Sequence, residues 1–205
     1  DLDSHHDLLD DLPLDSTQHA DLDEDGYGDS LSGNNPDSCP YQFGDSIIDR
    51  YGCSDFDDDG YSDLGDIFPS DYWQWNDTDG DGYGDNNFSS SGYLNTTFRG
   101  TTWDSCPNEY GASTRNNTLG CPDLDFDGWA DSLDVFDDDS SQWADVDGDG
   151  YGDQLNGFQG DACPITIGTS TQDRFGCLDS DSDGWSDDGD LFSNNPTQWA
   201  DRDGD

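Results

Sequence analysis

The stretch "DVDGDGYGD" at 145–153 places Asp145, Asp147, Asp149 and Asp153 within nine residues, with glycines between them and no basic side chain. Carboxylates this close repel one another at neutral pH. Unless a cation sits among them, the segment stays extended and solvated. The surrounding chain raises the same question on a larger scale. Its 205 residues carry 50 acidic against 5 basic side chains, for a formal net charge of −45, and only 29% are hydrophobic. That falls below the ~45–50% apolar content of ordinary globular domains, and low hydrophobicity with high charge is the signature of disorder. Aromatic residues are nevertheless plentiful, and the six cysteines make an even set. The length allows one or two domains, but leucine, isoleucine and valine are too scarce for one large core. The fold must be held by something other than bulk apolar burial.

Two acidic motifs alternate along the chain. The first reads "DFDDDGYSDLGD" at 55–66, "DLDFDGWADSLD" at 123–134 and "DSDSDGWSDDGD" at 179–190. The second reads "DLDEDGYGD" at 21–29, "DTDGDGYGD" at 77–85 and the opening stretch at 145–153. Each first motif leads its second by 22 residues, and the second motifs start at 21, 77, 145 and 201. The period is therefore about 56 residues, and it divides the chain into repeats at 1–52, 53–120, 121–176 and 177–205. The second repeat carries an insertion at 86–105, rich in Ser, Asn and Gly, which reads as a surface loop. Its Phe88, Tyr93, Phe98 and Trp103 suit packing on itself or on a partner. At the start, "DLDSHHDLLD" matches the first motif begun at its third position. At the end, "DRDGD" at 201–205 matches a second motif cut short. Both termini fall inside a motif, so the expectation is that the array continues, or that neighbouring copies complete these sites.

In the first motif, carboxylates fall at positions 1, 3, 5, 9 and 12 with Gly at 6. This is the ligand spacing of an EF-hand-type calcium loop, in which position 7 contributes its backbone carbonyl. The candidate ligands are Asp55, Asp57, Asp59, Tyr61, Asp63 and Asp66; Asp123, Asp125, Asp127, Trp129, Asp131 and Asp134; and Asp179, Asp181, Asp183, Trp185, Asp187 and Asp190. The partial copy contributes Asp1, Asp3, Asp7 and Asp10. The second motif supplies Asp21, Asp23, Asp25, Tyr27 and Asp29; Asp77, Asp79, Asp81, Tyr83 and Asp85; Asp145, Asp147, Asp149, Tyr151 and Asp153; and Asp201, Asp203 and Asp205. Its position 12 is Ser32, Phe88 or Asn156, none of them acidic. An Asp-x-Cys-Pro follows each complete copy, so Asp37, Asp104 and Asp161 are expected to fold back and close the site. The alternative is that they only cap a turn. An all-oxygen donor set suits Ca²⁺ better than Mg²⁺, which keeps its waters, and better than transition metals, which favour imidazole or thiolate. About six complete Ca²⁺ sites and up to two partial ones are expected. A solvated acidic surface of halophile type would explain the charge but not its recurrence.

No amphipathic stripe of useful length follows these loops, so flanking helices are not expected. The Asp-x-Asp-x-Asp-Gly-x-x-Asp-x-x-Asp runs, the Gly-Asp followed by Asp-x-Cys-Pro, and "NPTQWADRDGD" at 195–205 together resemble the thrombospondin type 3 repeat over nearly the whole chain. Arrays of this kind also look similar to large surface proteins of marine archaea and bacteria. The resemblance implies a mostly irregular chain with little regular secondary structure, wrapped as tandem calcium-loop repeats around Ca²⁺ and stapled by disulfides outside the cell. The repeat here is longer than the family's. Six cysteines allow fifteen pairings. With one close pair per period, Cys39 with Cys53, Cys106 with Cys121 and Cys163 with Cys177 is the economical pattern, and CxxC spacing for zinc is absent.

Disulfides point to an extracellular or cell-surface setting. No run of 18 apolar residues suggests a membrane span, and the acidity excludes a phosphate-binding surface for nucleic acid. The sequons at Asn76, Asn87, Asn95 and Asn116 are candidate glycosylation sites, with Asn87 and Asn95 presented on the insertion. The position-7 rings and Trp75, Trp143 and Trp199 are expected to pack one loop on the next. No nucleophile is paired with a base, so an enzyme is not expected. The expected function is structural: a calcium-stabilised rod or filament segment of a surface appendage or adhesin, with copies of itself or further repeats as partners. The alternatives are an adhesive, glycan-binding stalk and a calcium-buffering or mineral-binding protein.

Overall fold

The computed structural model describes residues 9–86 and 103–204. Asp1, Asp3, Asp7, Asp205, the sequons at Asn87 and Asn95, and most of the insertion lie outside these residues. Among the described residues there is no helix and no strand, and an isolated parallel bridge joins Gly84 and Trp103. The chain divides into two compact units, Asp1–Asn108 and Glu109–Asp205.

Both units use the same local closures. In every complete acidic loop the position-9 N–H donates to the carbonyl of the residue before position 1. In the first unit these bonds run from Asp29 to Ala20, Asp63 to Ser54 and Asp85 to Asn76, at 2.9, 2.7 and 2.9 Å. In the second they run from Asp131 to Pro122, Asp153 to Ala144 and Asp187 to Leu178, at 2.9, 2.8 and 2.7 Å. The segment joining a first-type loop to the next second-type loop is pinned likewise. Ile67, Val135 and Leu191 donate to the carbonyls of Trp75, Trp143 and Trp199. Asp11 donates to His19 in the same register, so the first repeat keeps this closure although a histidine replaces the tryptophan.

The cysteine loops carry the chain from one acidic loop to the next. Cys39 bonds to Cys53 and Cys163 to Cys177. Cys106 and Cys121 are disulfide-bonded too, and no cysteine is free. The Cys53 carbonyl accepts the N–H groups of Asp45 and Ser46, and the Gly60 carbonyl accepts those of Ile47 and Ile48. Cys177 and Gly184 repeat this with 169–172. A Cβ on Gly44 or Gly168 would collide with the backbone of Cys53 or Cys177, so only glycine allows this approach.

The core is polar. The only buried hydrophobic residues are Cys53, Cys121, Ala130 and Cys177, among those described. The largest fully buried side chains are instead Gln18, Gln74 and Gln142. Each glutamine stands three residues before a second-type loop and bridges to the chain leaving that loop. The Gln142 Nε2 donates to the carbonyls of Gln154 and Phe158 at 3.0 and 3.2 Å, and its Oε1 accepts the Gln154 N–H at 3.0 Å. Gln18 and Gln74 make the matching bonds to Ser30 and Asn86. Buried serines serve the cysteine loops. Ser46 donates to the Arg50 carbonyl and accepts the Cys53 N–H, and Ser170 does the same with Arg174 and Cys177. A polar group can be buried at little penalty when its hydrogen bonds are satisfied, which is how so apolar-poor a chain closes an interior.

Aromatic rings are distributed as pairs. The position-7 ring of each complete first-type loop stacks on the tryptophan that precedes the next second-type loop. Tyr61 pairs with Trp75, Trp129 with Trp143 and Trp185 with Trp199, at centroid separations of 5.2, 6.2 and 5.8 Å. Position-7 rings of second-type loops meet the cysteine loops: Tyr27 packs on Tyr51 and Tyr151 on Phe175. The expected packing of loop on loop thus takes the form of separate ring pairs, with many other large apolar side chains left exposed.

Candidate metal centres

The acidic loops take their shape from their own side chains. In every complete loop but that of Asp55, which holds position 6 alone, the position-1 carboxylate receives the N–H groups of positions 4 and 6, so both its oxygens face the turn. Asp145 accepts from Gly148 and Gly150 at 2.7 and 2.9 Å, and Asp123 from Phe126 and Gly128 at 2.8 and 3.0 Å. Asp21, Asp77 and Asp179 repeat the pattern. This wrap forces a left-handed backbone at two places. Position 6 is always glycine, with φ between 94° at Gly150 and 101° at Gly60. Position 4 is also left-handed, at Glu24, Asp58, Gly80, Phe126, Gly148 and Ser182, with φ of 65°, 62°, 81°, 63°, 79° and 66°. Four of these six are not glycine, so the wrap overrides an ordinary preference against this region.

Position 5 gives an oxygen to the backbone in every complete loop, as position 3 does in most, and in the first-type loops both acids keep the other aside. The position-5 Oδ1 accepts the position-7 N–H at Asp25, Asp59, Asp81, Asp127, Asp149 and Asp183. The position-3 Oδ1 of Asp57, Asp125, Asp147 and Asp181 accepts the position-5 N–H. The Oδ2 atoms of Asp57, Asp59, Asp125, Asp127, Asp147, Asp181 and Asp183 are buried and receive no hydrogen bond, as do Asp55 Oδ1 and both oxygens of Asp23. Among the described residues, six groups of acids, including 21/23/25, 55/57/59, 77/79/81, 123/125/127 and 145/147/149, bring one oxygen each within 4.8 Å of one another.

Position 9 behaves differently. Its carboxylate buckles the loop by accepting the N–H of position 2, as Asp63 does from Phe56, Asp85 from Thr78, Asp131 from Leu124 and Asp187 from Ser180. Hydroxyls of Ser54, Thr78 and Ser180 occupy the second oxygen of Asp63, Asp85 and Asp187. In these three loops the position-9 acid is committed to the loop itself.

Position 12 of the first type returns to the cluster. Asp66, Asp134 and Asp190 each accept an N–H two residues on, from Phe68, Phe136 and Phe192. Burial raises the pKa of Asp66, and Asp55 and Asp63 raise it further. Asp134 is raised by burial and then by Asp127 and Asp125. Asp10 has the same character: it is 7% exposed, accepts the Leu12 N–H at 2.9 Å and keeps a buried, unpartnered Oδ2.

In the second type, Asp37, Asp104 and Asp161 lie beside the acidic loop. Their N–H groups donate to the carbonyls of Gly28, Gly84 and Gly152 at 2.9, 2.7 and 2.7 Å. They are only 1%, 2% and 1% exposed. Oδ1 accepts the N–H of Cys39, Cys106 or Cys163 at 2.7, 2.7 and 2.6 Å, while Oδ2 is buried with no hydrogen-bond partner. One oxygen caps the turn, and the other is left buried without a hydrogen bond beside the acidic loop. Burial pushes Asp37 and Asp104 up to about 6, with Asp25, Asp23 and Asp29 adding to the first and Asp81, Asp79 and Asp85 to the second.

Two features escape the motif spacing. Asp71 adds to the raised pKa of Asp57 and Asp66, and Asp139 to that of Asp125, so each stands near a first-type cluster without belonging to its twelve-residue pattern. The buried glutamines that carry the chain past each second-type loop also lie outside it. Of the sequons within the described residues, Asn76 donates its amide to Thr78 and Asp85, whereas Asn116 is exposed in a left-handed turn with φ of 54°.

A buried carboxylate oxygen with neither a hydrogen-bond donor nor a basic neighbour is strongly disfavoured. Here three such oxygens meet at Asp55, Asp57 and Asp59, two each at Asp125/Asp127 and Asp181/Asp183, and Asp23 and Asp147 bring theirs into further acid triplets. The ion pair of Arg174 with Asp188, 2.8 Å apart, lies at the surface. The donor set is oxygen throughout, the residues present fit a hard divalent cation, and the mixture of carboxylates suits the variable coordination of Ca²⁺. The chain matches no known protein family model, and no curated protein matches it significantly. No helix among the described residues is long and apolar enough to cross a membrane. The disulfides fit a protein of an oxidising, extracellular compartment.

Proposed function

We propose that this chain is a calcium-stabilised structural segment of an extracellular surface protein, a tandem array of loops of thrombospondin type 3 character in a rod or filament. The observation that carries this reading is the recurrence of buried carboxylate oxygens without donors, at position 3 in Asp23, Asp57, Asp125, Asp147 and Asp181 and at position 5 of the first-type loops in Asp59, Asp127 and Asp183. Ca²⁺ supplies the positive charge that lets these acids coexist in a closed chain. In first-type sites positions 1, 3, 5 and 12 would hold it, and in second-type sites positions 1, 3 and 5 with Asp37, Asp104 or Asp161. At position 9, Asp63, Asp85, Asp131 and Asp187 shape the loop around it. Copies of the chain, or further repeats of it, are the proposed partners, and the cell surface is the proposed location.

Because the interior holds so little apolar surface, the cation is the largest single stabiliser in this reading. At free Ca²⁺ a hundredfold above Kd, each site adds about 2.7 kcal/mol. Chelation with the disulfides intact should therefore collapse the near-ultraviolet circular dichroism of the stacked ring pairs. An unchanged spectrum in EDTA would remove the calcium reading. Negative-stain images at millimolar Ca²⁺ should show extended particles or filaments, and discrete compact monomers would leave the calcium sites standing but not the filament.

A further inference from the structure

We propose that each second-type acidic site forms one thermodynamic unit with the disulfide that follows it: bound cation protects the disulfide from reduction, and the disulfide in turn strengthens cation binding. The proposal rests on the calcium reading above.

The geometry joins the two from both limbs of the cysteine loop. On the entering limb, Asp37 and Asp161 clamp the N–H groups of Cys39 and Cys163 with Oδ1. Their own N–H groups are tied to Gly28 and Gly152 inside the acidic loop. Their other oxygens are buried and unpartnered. On the returning limb, Gly44 and Gly168 donate to the position-5 oxygens of Asp25 and Asp149 at 3.2 and 2.9 Å. Those glycines lean on the backbone of Cys53 and Cys177. Gly52 and Gly176, one residue before the closing cysteines, sit so close to the closing acid that a Cβ would collide with Asp37 or Asp161, and would also meet Asp25 or Asp149. First-type sites take their closing acid, Asp66, Asp134 or Asp190, from within a single twelve-residue stretch rather than from the cysteine loop, although Asp49 and Asp173 tie that loop to Ser62 and Ser186.

Reduction of Cys163–Cys177 by a dithiol breaks the S–S bond and forms two thiols. The dithiol supplies two electrons and two protons and closes to its own cyclic disulfide. The opened loop no longer holds Asp161 against Asp149, so the reduced chain binds the cation less tightly. Linkage requires the converse: a cation that prefers the oxidised chain makes it harder to reduce.

The test uses the full oxidised chain. Calorimetric titration with Ca²⁺ comes first, and an absence of binding would overturn the calcium reading and this proposal together. Reduction by dithiothreitol is then followed at each cysteine pair by alkylation and mass spectrometry, with and without Ca²⁺. Calcium should slow reduction of Cys163–Cys177 by about tenfold or more, with a ceiling of about a hundredfold when free Ca²⁺ is a hundredfold above Kd. Asp161→Asn keeps an acceptor for the Cys163 N–H but removes the charge. It should abolish protection of Cys163–Cys177 and leave that of Cys39–Cys53. Asp127→Asn, in the first-type loop that follows Cys121, should leave both. Binding in calorimetry with reduction rates indifferent to Ca²⁺, or protection retained in Asp161→Asn, would overturn the linkage while the calcium reading stands.

Discussion

Replacing Gln142 with alanine tests whether a polar interior holds this chain together. The side chain is 1% exposed. It satisfies the N–H and carbonyl of Gln154 and the carbonyl of Phe158 through three hydrogen bonds. Alanine removes all three. Phe158 lies in an exposed stretch, so its carbonyl can turn to water, but the two Gln154 groups face the emptied site. Each buried backbone group left unpaired costs about 1–3 kcal/mol, and the space left behind adds to this, for an expected loss of about 3–4 kcal/mol. Gln142→Glu should be worse, because a carboxylate would face two carbonyls where an amide donated. The assay is urea denaturation at fixed, saturating Ca²⁺, with hydrogen exchange read at the Gln154 amide to separate local from global opening. Gln198 supplies the control: it stands at the same motif position but is exposed, so Gln198→Ala should stay within about 0.5 kcal/mol. If Gln142→Ala is equally silent, and Gln154 exchange is unchanged, the glutamine is not a core residue.

The response to pH should reverse sign with calcium. Asp37 and Asp104 have folded pKa values of about 6, raised by burial and then by neighbouring carboxylates. In the metal-free chain the folded state therefore binds more protons between about pH 4 and 6. That stabilisation is fully present below the unfolded pKa and is lost as pH rises through 6, so the near-ultraviolet signal the metal-free chain retains should fall from pH 4 to pH 7. With saturating Ca²⁺, protons compete for the same oxygens and the melting temperature should rise over that range; parallel trends in both states would refute the assignment. Glycine substitutions separate crowding from backbone preference. Gly168→Ala collides with the Cys177 backbone and should prevent formation of the third cysteine loop, whereas Gly150→Ala meets nothing within 4 Å and bears only the strain of φ 94°, about 1–2 kcal/mol. Equal unfolding midpoints for the two variants would contradict this.

The acidic loops were legible in the sequence because a carboxylate at each of positions 1, 3 and 5 can reach nearby backbone N–H groups, and that local chemistry leaves a fixed spacing. Gly26, Gly60, Gly82, Gly128, Gly150 and Gly184 marked the left-handed position 6 for the same reason. Position 4 was hidden. Glycine occupies it at Gly80 and Gly148, but Glu24, Asp58, Phe126 and Ser182 adopt the same backbone, and none of these residue types announces it. The bonds made by position 9 were also hidden: spacing places Asp63 or Asp187 at the loop, but does not say that its oxygens hold position 2. The glutamine core was invisible because Gln18, Gln74 and Gln142 read as surface residues. Their burial depends on backbone groups 12 residues away in sequence, which no local pattern encodes. Asp71 and Asp139 were passed over for the same cause, since their proximity to a cluster arises only when the connecting segment folds back.

The glutamine and serine interior also shapes how stability varies with temperature. Exposing apolar surface raises the heat capacity of a protein and exposing polar surface lowers it, and ordinary domains gain about 12–15 cal/mol/K per residue on unfolding. Unfolding this chain hydrates Gln18, Gln74, Gln142, Ser46 and Ser170, while Leu14, Leu31, Tyr41 and Ile165 are already in contact with water. The heat-capacity increment per residue must therefore be small. A small increment flattens the curve of free energy against temperature, so the temperature of cold denaturation recedes far below freezing. Such a chain keeps nearly the same margin of stability in cold water as in warm.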